Sequence, residues 1–143
     1  MTTVQITVTI DQAQAMCQAL ELYARIGIGQ FEEIAYLVRS GFVPMFNSGA
    51  TGKPEHANAE RCDWVAAMCD GIKNALQYPI NGSHGIGHAH VSTSAHRAYE
   101  MRKVIEQALA LHRDPNPSFR GVNYDGLIVR YTSDPAPIAE IRE

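Results

Sequence analysis

Four runs of apolar side chains fall at helical spacing, the last with a gap between Tyr99 and Ile105, and each ends at glycine or proline. They are Met16, Ala19, Leu20, Tyr23; Phe31, Ile34, Ala35, Val38; Val65, Met68, Cys69, Ile72, Ala75, Leu76; and Ala98, Tyr99, Ile105, Ala108, Leu109. That spacing lines one face of a helix, so most of the chain is committed to helices with one apolar stripe each. The first stripe meets Arg25-Ile-Gly-Ile-Gly29, whose glycines split it from the second as a helix pair or a kink. Gly41 closes the second, Pro79 stops the third, and Arg113-Asp-Pro-Asn-Pro-Ser118 ends the fourth. Asp11-Gln-Ala-Gln14 has the pattern of a capping box at the first helix, and Ser92 that of an N-cap for the last.

Two stretches have a different period. Val4, Ile6, Val8 and Ile10 alternate with Thr3, Gln5, Thr7 and Thr9, which predicts a half-buried strand. Near the other end, Asp125-Gly126 separates Arg120–Tyr124 from Leu127–Tyr131 and predicts a hairpin with a type I′ turn. Tyr124 would then face Leu127, Val122 would face Val129, and Arg120 would face Tyr131. The expected fold is α+β: a small antiparallel sheet, made of the N-terminal strand and the C-terminal hairpin, packed on long helices in one domain over residues 1–143. Residues 41–57 read as a long surface loop, a feature often functional or mobile.

At 143 residues the chain can bury a core without a structural metal. Its net charge of −3 with scattered basic residues argues against duplex nucleic acid as a partner. No apolar run approaches the ~20 residues that span a bilayer, and the N-terminal segment lacks a leader pattern, so a cytoplasmic location is expected. Three cysteines, Cys17, Cys62 and Cys69, show no C-x-x-C spacing and read as small buried apolar residues.

The chemistry-bearing stretch is Asn81–His96, NGSHGIGHAHVSTSAH, with four histidines and three glycines. His84, His88, His90 and His96 could ligate a metal, but no carboxylate lies between Asp70 and Glu100 to complete a site. His90-Val-Ser92 matches one half of a two-histidine phosphoesterase motif and has no second copy, while Ser92 already serves as a cap. There is no Gly-x-Ser-x-Gly elbow, and the Gly82, Gly85, Gly87 spacing follows a helix rather than a strand, unlike a dinucleotide fingerprint. No catalytic residue, metal or cofactor is therefore expected. Glycine permits close backbone approach, and amides ahead of a helix favour an anion, so Gly85 and His84 read as one wall of a nucleotide pocket. Arg25, Arg61 and Arg120 are suited to phosphate, and Asn123 and Asp125 to ribose hydroxyls or base edges.

Three segments carry a family resemblance: Leu22-Tyr-Ala-Arg-Ile-Gly-Ile-Gly-Gln-Phe31, the run from Asn81-Gly-Ser-His-Gly-Ile86 into His96-Arg-Ala-Tyr-Glu-Met-Arg-Lys-Val-Ile105, and Gly121-Val-Asn-Tyr-Asp125. Together they resemble the first Thoeris anti-defence family of phage proteins, in order along nearly the whole chain. The resemblance implies a sponge that sequesters cyclic ADP-ribose isomers made by bacterial TIR enzymes, chiefly glycocyclic ADP-ribose, without degrading them. It also implies a homodimer assembled further into a hexamer in the infected cell, with pockets at subunit interfaces and, in some members, a separate site for cyclic oligonucleotides. By position, Arg61 looks like the family's first phosphate-binding arginine, and Arg120, or else Arg113, like its second. His84 stands where the family tends to place an aromatic ring that stacks on adenine, which is a departure. Asn123 and Asp125 match the terminal motif in residue type. Two rivals are a phosphodiesterase acting through His88 and His90, and a protein-binding adaptor using the 41–57 loop.

Overall fold

A computed structural model describes residues 2–46 and 55–142. Four helices, α1 (Ile10–Gly27), α2 (Glu32–Arg39), α3 (Ala59–Ala75) and α4 (Thr93–Arg113), are followed by a single 3-10 turn at Val122–Tyr124. Two compact units form: Met1–Ala24 with Ile86–Glu143, and Arg25–Gly85. Of the 41–57 loop, residues 47–54 lie outside the described residues; Met45 and Glu55 on either side pair in an isolated antiparallel bridge.

The expected α+β fold is not what forms. Among the described residues there is no sheet, and the architecture is helical. Asp125 sits in the right-handed region at φ −72°, ψ −26°, and only Gly126 takes positive φ, at +66°, whereas a type I′ turn needs both central residues left-handed. The cause lies on α4. Lys103 Nζ donates to the Val122 carbonyl at 3.1 Å and Gln107 Nε2 to the Tyr124 carbonyl at 2.9 Å, so oxygens that a ladder would use are taken by helix side chains. Tyr124 is buried there as a 3-10 turn instead. Without the hairpin, the N-terminal alternation has no edge to join, and Val4 and Ile6 stand 85% and 65% exposed. A period of two sets a preference for strand; a partner edge decides whether one forms.

Helix boundaries follow local chemistry more closely. The capping box at α1 lies two residues earlier than expected: Thr9 N–H donates to Gln12 Oε1 at 2.9 Å, and Gln12 N–H donates to Thr9 Oγ1 at 3.2 Å. Asn58 caps α3 by accepting from Arg61 N–H, and Ser92 caps α4 by accepting from Ala95 N–H. The break at Arg25–Gly29 gives a helix pair, with Gly29 at φ +92° and the Tyr78 ring lying where a Cβ would stand. Gly41, at φ +80°, ends the second member.

The third stripe is turned the other way. α3 buries Cys62, Cys69 and Lys73, while Met68, Ile72 and Leu76 remain exposed. Within Arg25–Gly85 the buried face of α3 packs on α2, with Ala35 also buried. In the other unit α4 buries Ala95, Ala98, Glu100, Lys103 and Ala110, packing there on the 3-10 turn.

Candidate functional site

Within Arg25–Gly85 the glycine loop is pinned from three sides. Lys73, 2% exposed, directs its amine to the carbonyls of Gly82 at 3.0 Å and Ile80 at 3.3 Å and to Glu32 Oε2 at 2.9 Å. A buried ammonium must place all its protons, and here it places them across α2 and the loop. His84 N–H donates to the Ile28 carbonyl at 2.9 Å, and Gln30 Nε2 donates to Ser83 Oγ at 3.3 Å. The His84 ring packs edge-on against Tyr78 at 5.2 Å, and Tyr78 packs edge-on against Phe31 at 6.1 Å.

Arg25 belongs to the same network. Its Nη1 donates to Gln30 Oε1 at 2.9 Å and to Glu33 Oε1 at 3.2 Å, and Gln30 in turn holds Ser83. The structure thus brings Arg25, His84 and Gly85 together around one loop; a Cβ at Gly85 would meet nothing within 4 Å, so the approach to its backbone is open. Arg61 lies elsewhere, in the first turn of α3, with its guanidinium 4.7 Å from the centre of the Trp64 ring. Tyr78 and Lys73 were not among the predicted residues. Lys73 had a signal, four residues beyond Cys69 on the buried face.

The other candidates belong to the unit formed by residues 1–24 and 86–143. Arg120 is exposed and leans over the Tyr124 ring at 5.8 Å, and Asp125 is exposed at the end of the 3-10 turn. Asn123 instead lines a groove of about 730 Å³ between α1 and the end of α4, opposite Gln14 and Gln18 and beside His112 and Arg113. Arg113, the second choice from sequence, is therefore in the groove, and Arg120 is not among its lining residues. Glu21 and Glu106 also line it, bridged by Arg102 at 3.9 and 3.1 Å. Cys17, on the same wall, has its thiol pushed up chiefly by burial and directs it to the Arg102 carbonyl at 3.8 Å, so it is held as a thiol rather than a reactive thiolate.

The remaining histidines have structural engagements. His88 and His90 stack at 5.1 Å, and His90 N–H donates to His88 Nδ1 at 3.2 Å, so that nitrogen already accepts a hydrogen bond in this arrangement. His96 Nε2 bonds the Ile86 carbonyl at 2.7 Å and its ring stacks on Tyr131 at 5.2 Å. Among the described residues no group of three or more His, Cys, Asp or Glu is placed to hold a metal ion. Glu100, 2% exposed, accepts from the amides of Tyr131 and Thr132 at 2.7 and 2.8 Å and from the Thr132 hydroxyl at 2.8 Å. Burial alone would raise its carboxyl; those three donors outweigh it and hold the group below the ordinary glutamate value.

No protein-family model, curated protein or solved structure matches the chain. No described helix is long and apolar enough to cross a membrane.

Proposed function

We propose that this protein captures a cyclic ADP-ribose isomer, glycocyclic ADP-ribose made by TIR enzymes, and holds it without cleavage, denying it to a Thoeris effector in the infected bacterial cytoplasm. The observation that carries the reading is the groove of about 730 Å³, which holds Arg113 and Asn123. A pocket of roughly 300 to 1,000 Å³ suits a nucleotide-sized ligand. The Arg113 guanidinium can take a phosphate in two parallel bonds, and the amides of Gln14, Gln18 and Asn123 can donate and accept along a base edge or ribose. Glu21 and Glu106 can accept ribose hydroxyls, and Arg102 between them lowers their repulsion of phosphate. The segments that resemble the anti-defence family supply the identity of the ligand. They also supply the homodimer, the hexamer built from it, and a separate site for cyclic oligonucleotides.

Incubation with ligand, followed by heat denaturation and analysis of the released nucleotide, tests this. Intact cyclic ligand is expected, together with a raised Tm in its presence, because a ligand that binds only the folded state stabilises it. Recovered linear product would instead identify a phosphodiesterase, and no thermal shift with any cyclic nucleotide would favour the adaptor. Arg113→Ala should weaken capture about tenfold, the loss of one charge-assisted pair. Arg120→Ala should weaken it less than about threefold, since its guanidinium lies over Tyr124. A larger loss for Arg120 in calorimetry would move the ligand out of the groove.

A further inference from the structure

The groove between α1 and α4 carries opposite charges at its two ends. Glu106 and Arg113 both line it and stand seven residues apart on α4, two helical turns, so about 10 Å separates them along one face. His112 lies beside Arg113 at the basic end. On α1 the wall is made by Gln14, Gln18 and Glu21, and Glu21 is drawn to the Glu106 end because Arg102 reaches both carboxylates, at 3.9 and 3.1 Å. Gln14 and Gln18 carry the wall away from that end with neutral amides.

The carboxylates are fixed from behind. Arg102 Nη2 donates to both Glu106 oxygens at 3.1 and 3.2 Å; Lys103 Nζ reaches Oε2 at 3.5 Å and donates to the Val122 carbonyl at 3.1 Å. Neither cation is among the residues lining the groove, so a ligand at this end meets carboxylate oxygen first. An ionised carboxylate can only accept hydrogen bonds, so it takes a hydroxyl and repels a phosphate, which is an acceptor of the same charge. A guanidinium can only donate, and selects the reverse.

On the sponge reading, we propose that Glu106, with Glu21, sets the specificity of the groove. The nucleotide it holds has its phosphates at Arg113 and an unphosphorylated ribose hydroxyl at the far end; the same nucleotide with a phosphate on that hydroxyl is turned away. A span of two helical turns leaves room for phosphate and ribose between the ends. Neutralising Glu106 reverses the choice. Arg102 then keeps only Glu21, 3.9 Å away, and its buried Nε has no acceptor among the described residues, so a phosphate at that end meets cations that have lost their counter-ion.

Calorimetric titration with cyclic ADP-ribose and cyclic ADP-ribose 2′-phosphate, which differ by one phosphate on one ribose hydroxyl, tests this. The wild-type protein should bind the unphosphorylated probe at least about tenfold more tightly. Glu106→Gln should bind the 2′-phosphate about tenfold more tightly than wild type does, while Arg113→Ala should weaken both probes alike. The ratio of the two affinities is the readout, because a change in groove shape or stability moves both together. Glu21→Gln, at a side chain 35% exposed and better screened, should move the ratio the same way by about threefold, and serves if Glu106→Gln does not fold. Equal wild-type affinities, a ratio that neither glutamate substitution moves, or binding of neither probe overturns the inference. Glycocyclic ADP-ribose titrated alongside separates the two readings: its capture by a protein that fails these tests leaves the sponge standing and removes the filter.

Discussion

Lys73 and Glu100 solve one problem with opposite charges. Each is 2% exposed, each projects from a helix, and each ends on irregular backbone that has no ladder of its own. Lys73 donates hydrogen bonds to the carbonyls of Ile80 and Gly82, while Glu100 accepts hydrogen bonds from the amides of Tyr131 and Thr132. The difference is in neutralisation. Lys73 has a counter-ion in Glu32 at 2.9 Å, whereas Glu100 is held by three neutral donors, with the charge of Arg130 as a minor contributor. Removing the cation strips the donor from two loop carbonyls as well as from Glu32, whose own side chain is 55% exposed; neutralising the anion only weakens three bonds.

The largest expected effect is therefore at Lys73. Lys73→Met keeps the stem and deletes the amine, leaving two loop carbonyls and Glu32 without their donor. It should destabilise by about 3 kcal/mol in urea unfolding. Hydrogen exchange should accelerate at the His84 amide before it does in α3, because the loop loses its anchor first. Equal acceleration across both would mean that Lys73 serves packing alone.

Glu100→Gln should cost less, about 2 kcal/mol, since the amide retains one acceptor oxygen but turns an N–H₂ toward donors. The comparison also has a pH signature. Glu100 titrates lower folded than unfolded, so the unfolded chain takes up the proton first. Its stabilising share is whole above the ordinary glutamate value of about 4.3, shrinks as pH falls from there, and is gone below the folded value. Glu32 shifts in the same direction; burial opposes it, and the Lys73 hydrogen bond and charge contribute to its lowering. The acid limb of stability against pH should be shallower in Glu100→Gln than in wild type, and an unchanged slope would place the Tyr131–Thr132 anchor elsewhere.

The spacing of Lys73 from Cys69 is the one sequence hint of either pin, and the reason is physical. A lysine or glutamate in a helical run reads as a solvated face, because water is the usual partner of a charge. What makes Lys73 and Glu100 interior is the set of carbonyls and amides facing them, and those come from segments with no periodicity. The helices were legible for the converse reason: their apolar spacing and the cap of α4 at Ser92 are local chemistry. The hairpin failed where local and distant chemistry competed, since Lys103 and Gln107 took oxygens that Asp125-Gly126 was expected to leave for a ladder. In the candidate site, Arg25 on α1 reaches the loop of His84 and Gly85 only through Gln30 and Ser83, a link that no local pattern encodes. That Arg113 lines the groove and Arg120 does not is a matter of tertiary placement, which no local pattern encodes.

The smallest effect separates the two capping registers at α1. Thr9 and Gln12 exchange backbone-to-side-chain bonds at 2.9 and 3.2 Å, while the sequence pattern also permits Asp11 with Gln14. Thr9→Ala removes the acceptor for the Gln12 amide and should cost about 1 kcal/mol. Asp11→Ala should cost only about 0.5 kcal/mol, through the lost charge near the helix N-terminus, and that part should fade with salt because it is a screened dipole interaction. Gln14→Ala should be nearly neutral, as its side chain faces the groove rather than the cap. Urea midpoints for the three variants at low and high salt check the order: a Gln14 effect as large as that of Thr9 would return the cap to Asp11 and let the N-terminal segment run two residues further before the helix begins.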